Sequence, residues 1–376
     1  MRSQVLASLL LLIAPAISSP TPGDKNADCY KTVRYPQSIQ EAINKARPGD
    51  IITVEEGTYK EQLTIKKSGI TLIGKKAVLV PPSKFEKNIC SGLNENFVGE
   101  KTEAGICIQG KGIELEKFAR EHRKFKSARE YIKDVTVTGF EVRGFSGENI
   151  AVVAGKDIKV TKNKLVDGAQ YGFLTVGSKN TLAAGNIIES ATPPFLNFIA
   201  MCMDDQSNAK FKENNISGYY IALCTQTQGG EVIKNTVKNC CIGPFVDPGI
   251  KGARVIGNTI TNRNPACPTS KTENGGGPAG AGIILSGASN TVVKDNTIEY
   301  ISFGEAFNIT SGDVGLGIFV NDDPVTGAKA KGNVVKNNKL QFNDFDIFNN
   351  ATSTDNVIAN NRCARVEGTT TFCDGL

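Results

Sequence analysis

The chain of 376 residues has no tryptophan, a single histidine and only three methionines. With tryptophan missing and only eight tyrosines present, a deep run of sugar-stacking subsites is disfavoured, because aromatic faces are the usual platform for sugar rings. One histidine, His122, excludes a histidine-rich metal site and argues against a Ser-His-Asp triad. Beyond the first twenty residues no stretch approaches the roughly 18 to 20 uninterrupted apolar residues of a membrane-spanning helix, and no membrane partner is expected. No phosphate loop or dinucleotide fingerprint follows a strand pattern. The formal net charge of +5 is too small to argue for nucleic acid or for a strongly anionic target.

What the chain does have is a repeat. An aliphatic or aromatic residue, an Asn three positions on and an apolar residue two further recur at Asn163, Asn214, Asn235, Asn258, Asn296, Asn338 and Asn361, with a degenerate copy at Asn186. Successive spacings are 23, 28, 21, 23, 38, 42 and 23 residues, the period of a β-solenoid coil. A rung of that length cannot bury its apolar face alone and must stack on neighbours, which predicts parallel sheets. The repeated Asn reads as structural: it tolerates left-handed bends, and stacked Asn side chains hydrogen-bond along the axis.

Residues 1–18 read as a secretory signal, with Arg2, an apolar run from Val5 and small residues near Ser18. Residues 19–376 then form one domain, secreted and monomeric. Ten cysteines bound for an oxidising compartment imply disulfides. Spacing suggests Cys363 with Cys373, Cys267 with Cys240 or Cys241, and pairing among Cys29, Cys90 and Cys107. Cys202 and Cys224 fall in near-copies of one strand and should sit on adjacent rungs, bonded or merely stacked. Asn215, Asn308 and Asn350 head N-glycosylation sequons.

Near the start, Ser38 is a candidate N-cap for an amphipathic helix ending near Ala46, able to cover the open first rung. Strands are expected at Ile51–Val54, Leu63–Ile65 and 70–73, with a turn at Gly57. Residues 81–133 depart from the period as an insertion containing one strand at 105–109. Its charged part, 111–133, is expected as a solvated helix or loop. The two long spacings place loops at 261–280 and 299–314, leaving one corner of consecutive rungs as a wall.

The best chemical constellation is acidic. Asp204 and Asp205, Asp247, and Asp322 and Asp323 each follow the last apolar residue of a comparable strand. On stacked rungs they would form a column, with roughly 10 Å per two rungs. Asp247 and Asp322 are the catalytic candidates, and Asp204, Asp205 and Asp323 the oxygen ligands of a hard cation such as Ca2+. Lys271 or Arg263, from the loop at 261–280, would serve as the base of a β-elimination. Tyr171, Tyr219 and Tyr220 would give a shallow stacking platform. Against all of this stands the preference of Asp for turns at strand ends, with Asp247-Pro and Asp323-Pro as ordinary bends.

The opening Ser38-Ile-Gln-Glu-Ala-Ile, Pro48-Gly-Asp-Ile-Ile-Thr-Val, Gly57-Thr-Tyr and Ile70-Thr-Leu-Ile-Gly74, followed by the Asn rungs, resembles secreted right-handed parallel β-helix proteins of the pectin-lyase-like superfamily. Residues 135–147 and 282–297 are similar to extracellular β-helix repeat proteins of fungi and actinomycetes. The resemblance implies an all-β, right-handed parallel β-helix with a short N-terminal capping helix. It also implies a place among lyases, hydrolases, esterases, epimerases and members without activity, whose partners are polysaccharides or cell-wall glycans. The histidine and basic triplet of polygalacturonases and the signatures of pectin methylesterases are missing, and no family catalytic residue carries over. Three readings stay open: a lyase-like enzyme on uronate-containing glycans, a non-catalytic wall-associated or glycan-binding β-helix, and a tailoring enzyme for a secreted small molecule.

Overall fold

A computed structural model of the chain describes residues 30–374, apart from 97, 119–120, 192–196, 270–279, 364–365 and 368–372. The signal expected at 1–18, Cys29 and Lys271 therefore lie outside the described residues.

Each turn of the chain contributes one strand to each of three parallel sheets, which hold 12, 12 and 11 strands among the described residues. Within a turn the chain passes through sheet 1 (Lys159–Thr161, for example), an Asn corner, sheet 2 (Lys164–Val166) and sheet 3 (Tyr171–Val176). It then returns to sheet 1. In-register stacking of Val160, Ala183, Phe211, Val232 and Val255 fills the coil with apolar side chains, as a right-handed parallel β-helix requires.

The Asn corner is a continuous ladder. From Asn163 to Asn338 each side-chain amide donates to the Oδ1 of the next Asn at 2.9–3.2 Å, and also to a carbonyl one turn back. The backbone N–H of each Asn donates to the same Oδ1. The left-handed residue is the one before the Asn, a correction to the sequence reading. Lys162, Glu213, Lys234, Asp295, Asn337 and Asn360 have φ of 53–58°, and Gly185 and Gly257 fill the other two places. That bend turns the following Asn inward, where buried polar groups must be paired.

Ser38 caps the helix Ile39–Lys45 by accepting from Glu41 N, and Ile39 and Ile43 bury against the first turn. Strands Ile51–Val54 and Leu63–Ile65 form as expected, whereas Gly57 opens the strand Gly57–Lys60 instead of a turn. The insertion is two excursions on either side of Ile106–Gln109, which belongs to sheet 3. The second is neither helix nor free loop but an antiparallel hairpin, Lys111–Leu115 with Phe125–Glu130. Lys111 pairs with Glu130 at 2.9 Å and Lys126 with Glu114 at 3.2 Å, while Ile113, Leu115 and Phe125 pack on Val153, Leu174 and Val176 of sheet 3.

Disulfides join Cys90 to Cys107, Cys202 to Cys224, Cys241 to Cys267 and Cys363 to Cys373. Strand alternation decides between the adjacent thiols: Cys241 faces outward to Cys267, and Cys240 is buried in the coil as the free cysteine among the described residues. Asn215, Asn308 and Asn350 are exposed. No helix among the described residues is long and apolar enough to cross a membrane.

Candidate functional site

Alternation along sheet 3 sorts the acidic residues. Met203, Thr225, Val246, Leu285 and Val320 are in register and face inward. The residues that follow them, Asp204, Gln226, Asp247, Ser286 and Asn321, form the outward column at the corner leading back to sheet 1. Of the five predicted aspartates only Asp204 and Asp247 belong to it, two rungs or about 10 Å apart along the backbone. Asp205 turns the opposite way and is 4% exposed.

The wall over this column is the hairpin, and its turn delivers Glu121, His122 and Lys124 from a segment 80 to 126 residues earlier in the chain. His122 is enclosed, its Nε2 3.0 Å from Asp204 Oδ2 and its Nδ1 3.2 Å from Tyr171 Oη. Asp204 can only accept, so Nε2 carries the hydrogen and Tyr171 donates to Nδ1. Lys124 Nζ lies 3.3 Å from Asp204 Oδ2 and bonds the side-chain oxygen of Gln226. The Gln226 amide donates to Asp247 Oδ2 at 2.6 Å and to Glu121 Oε2 at 2.7 Å. Glu121, Lys124, Asp204, Gln226 and Asp247 line a cleft of about 580 Å³ that Phe245, Asp323 and Val325 help to complete, with His122 and Tyr171 behind its wall.

The two aspartates are held in different charge states. Burial pushes the Asp247 carboxyl up to about 8, and the nearby Glu121 carboxylate adds to the effect. Burial acts on Asp204 in the same sense, but the His122 hydrogen bond and the Lys124 charge outweigh it and hold that carboxyl below its ordinary value. Desolvation lowers His122 against the pull of Asp204, which keeps the ring neutral. A protonated carboxyl and a carboxylate, linked through Gln226 and Lys124, form an acid and base pair set by environment.

The remaining sequence candidates lie elsewhere. Asp322 closes the turn after its strand, accepting from Lys329 Nζ at 2.9 Å, Thr352 Oγ1 at 2.6 Å and Ala330 N at 3.0 Å. Asp323 accepts from Ser286 and Thr326 and reaches only the cleft rim. Both fit the turn role that stood against catalysis. Arg263 sits at the far end of the sheet 3 strands, its guanidinium 3.6 Å from the Phe303 ring centroid and bonded to Cys267 O at 3.1 Å. The described parts of the two excursions, residues 261–269 and 299–314, leave the corner between sheets 2 and 3, at the opposite end of the sheet 3 strands from the aspartates. Tyr171 and Tyr219 are fully buried, Tyr171 under the hairpin and Tyr219 inside the coil with its hydroxyl on Gly168 O, and neither presents a stacking face. Tyr220 is half-buried against the outer cluster of Cys241, Ile242 and Ala281, four residues along the strand from the row of Phe245 and Phe319. Sequence reasoning missed Glu121, Lys124 and Gln226. The available signal was the hairpin's own pattern, Ile113 and Leu115 alternating with charge and answered by Phe125.

A metal fits poorly. Ligand atoms of Glu121, Cys224 and Asp247 lie within 4.8 Å of one another, but the Cys224 sulfur is bonded to Cys202, and the Gln226 amide donates to both carboxyls. Asp204, Asp205 and Asp323 do not converge as a ligand set. Copper would prefer imidazole or soft sulfur. His122 has both nitrogens engaged, and Met201 and Met203 are enclosed in the coil.

Residues 199–372 match the family model described as "Right handed beta helix region", and residues 88–275, half of the chain, match that of "Periplasmic copper-binding protein (NosD)". No curated protein matches the chain by sequence. Among solved structures it is similar to the Azotobacter vinelandii mannuronan C-5 epimerase AlgE6 A-module, at 13% identity and a TM-score of 0.51 over 86% of this chain and 87% of that one. It is also similar to the Yersinia enterocolitica family 28 exopolygalacturonase, at 13% identity and a TM-score of 0.50 over 91% and 76%. The chain spans 56% of the length of Geobacillus virus E2 ORF18, to which 86% of it aligns at 12% identity and a TM-score of 0.44. At such identities the likeness is one of fold, and with the family matches it places the chain in the NosD family of right-handed parallel β-helix proteins, within the pectin-lyase-like superfamily.

Proposed function

We infer that the protein is an exported β-helix enzyme that breaks glycosidic bonds in an acidic glycan at the Asp204 and Asp247 pair. The observation that carries this reading is the pair itself: one carboxyl kept protonated and one kept ionised in a single cleft, linked by a relay in which Lys124 bonds Asp204 and Gln226, and Gln226 bonds Asp247. Asp247 would give its proton to the leaving oxygen, and Asp204 would stabilise positive charge on the sugar or orient water, their rung spacing of about 10 Å lying near the range of inverting hydrolases. Lys124 supplies the cation for a sugar carboxylate. Phe245, Phe319 and Phe348, half-exposed in one line on the outer face of sheet 3, offer rings along which the glycan would lie, with Phe319 and Phe348 centred 5.5 Å apart.

Elimination is the second reading, favoured by one feature: a protonated Asp247 beside the Gln226 amide would neutralise a uronate carboxylate and acidify the adjacent C–H. Against it, Asp204 is a weak base as held here, and Arg263 is at the other end of the strands. The four disulfides fit an oxidising, exported setting, and the exposed Asn215, Asn308 and Asn350 are accessible as glycan acceptors. Incubation with a panel of uronate polymers, with and without calcium, tests the reading. New reducing ends without ultraviolet absorbance indicate hydrolysis, and new absorbance indicates elimination. Substituting Asp247→Asn is expected to cut either rate by about 100-fold or more. Silence across the panel, with glycan binding retained, would leave a docking protein.

A further inference from the structure

Basic residues are not spread evenly around the coil. Across the nine rungs from 133 to 360, take each sheet 1 strand with the three residues before it and the one after. These segments hold thirteen Lys and Arg against six Asp and Glu. The whole chain has 43 against 38, so the rest of the molecule carries slightly more acid than base. Register stacks several of these cations on one another. Lys133, Lys156 and Lys179 occupy one position on three successive rungs, and Lys294 pairs with Lys336. Like charges opposite one another in a sheet destabilise it. Lys156, Lys159, Lys162, Lys234 and Lys251 are all exposed, and none forms an ion pair with a described residue. A shallow groove of about 400 Å³ lies on this face, where Lys159 and Lys210 flank Leu182 in register, shared with Asp134, Asp157 and Asn180.

Rows of unneutralised cations along one face create a field that favours an extended partner of opposite charge. We propose that the outer face of sheet 1 holds a linear polycarboxylate glycan, lying along the coil axis and apart from the cleft. Successive rungs rise by about 4.8 Å, close to the length of one sugar in an extended chain, so consecutive uronates would meet lysines of consecutive rungs. Nine rungs give the glycan a track of about 40 Å. Leu182 offers an apolar floor for the C–H face of a ring between Lys159 and Lys210. The face is poorly made for nucleic acid, whose single strands are held by aromatic stacking. None of its outward residues is aromatic, and its one guanidinium, Arg254, is turned to Glu231 at 4.0 Å. The four disulfides fit an oxidising, exported setting, and acidic glycans are the extended polyanions met there. The surface takes from the cleft reading only its class of substrate, and binding to it needs no catalysis.

Affinity electrophoresis without added calcium, through gels holding polygalacturonate or neutral dextran, tests the surface. The intact Asp247→Asn protein is used, so that cleavage at the pair does not shorten the polymer. Polygalacturonate is expected to retard it and dextran not, with the affinity falling about tenfold between 50 and 200 mM salt. Lys156→Glu, Lys159→Glu and Lys162→Glu together should weaken binding by about tenfold or more. Lys84→Glu, Lys87→Glu and Lys238→Glu make the same change in net charge away from sheet 1, and this control triple should stay within about twofold of its parent. Matching thermal midpoints establish that both triples fold. No retardation by polygalacturonate, or equal losses in the two triples, would overturn the proposal. Single-stranded DNA or anionic phospholipid vesicles bound as tightly as polygalacturonate would overturn the glycan assignment. If the natural chain is retarded but cleaves nothing, the cleft reading falls and this one stands.

Discussion

Replacing Asp247 by Asn should make the protein more stable and less active at once, by amounts that follow from the cleft. The carboxyl is raised to about 8 in the folded chain, against an ordinary value of 3.8. Between those values the unfolded chain has released its proton while the folded chain retains it, so rising pH favours unfolding across that interval. The full gap sets a ceiling of ~6 kcal/mol above pH 8. Partial access of solvent to the cleft lowers the expected cost to ~2 kcal/mol. Asn keeps the acceptor for Gln226 Nε2 and offers Glu121 a donor where it now faces a carboxyl. The variant should thus unfold about 3 °C higher than the natural protein at pH 8, and at nearly the same temperature at pH 4. Thermal scans at pH 4, 6 and 8 measure the trend, and glycan cleavage by the same preparations measures the function. A difference that does not change with pH, or a variant less stable at pH 8, would refute the electrostatic account of the cleft.

Asn235→Ala removes four side-chain hydrogen bonds of the ladder and strands the buried Asn214 N–H and Phe211 carbonyl, at a cost of about 3 to 5 kcal/mol. Asn215→Ala, one position from the ladder but exposed, should change the thermal midpoint by well under 1 °C in unglycosylated protein. His122→Phe keeps a ring against Tyr171 but deletes the bond to Asp204, so the acid limb of the activity profile should move up by about one to two pH units; an unmoved limb would deny His122 its positioning role. Because the hairpin closes one end of the outer face of sheet 3, cleavage should release short products from the first minutes, and an early spread of intermediate lengths would contradict that closure.

The scaffold was legible because its cause is periodic. Stacking in-register rungs imposes the same requirement every 21 to 28 residues, and Asn at the ladder corner meets it visibly. The near-copies Ile199-Ala-Met-Cys and Ile221-Ala-Leu-Cys likewise announced that Cys202 and Cys224 are neighbours on adjacent rungs, while the bond between them was left open. The site was half legible for the same reason. Asp204 and Asp247 occupy comparable strand ends, and register brings them into one column. Asp205, Asp322 and Asp323 failed the same test because one residue of offset reverses a side chain on a pleated strand or carries it into the turn. Glu121, Lys124 and the contacts of His122 have no periodic cause. They arrive through a hairpin that belongs to an earlier rung, and a long-range fold-back leaves little trace in local sequence.

That hairpin explains why the cleft sits where it does. A bare parallel β-helix presents the same outer face at every turn, so nothing in the repeat singles out one rung for chemistry. The hairpin breaks this equivalence. It buries the outer face of the earlier rungs around Leu174 and Val176, and the later ones keep Phe319 and Phe348 half open. Its turn stops at the boundary and places Lys124 and His122 on Asp204. Without them burial would raise Asp204 as it raises Asp247, and the two carboxyls would carry the same charge state instead of opposite roles. The coil therefore supplies the spacing of the aspartates, and the inserted strands supply their difference.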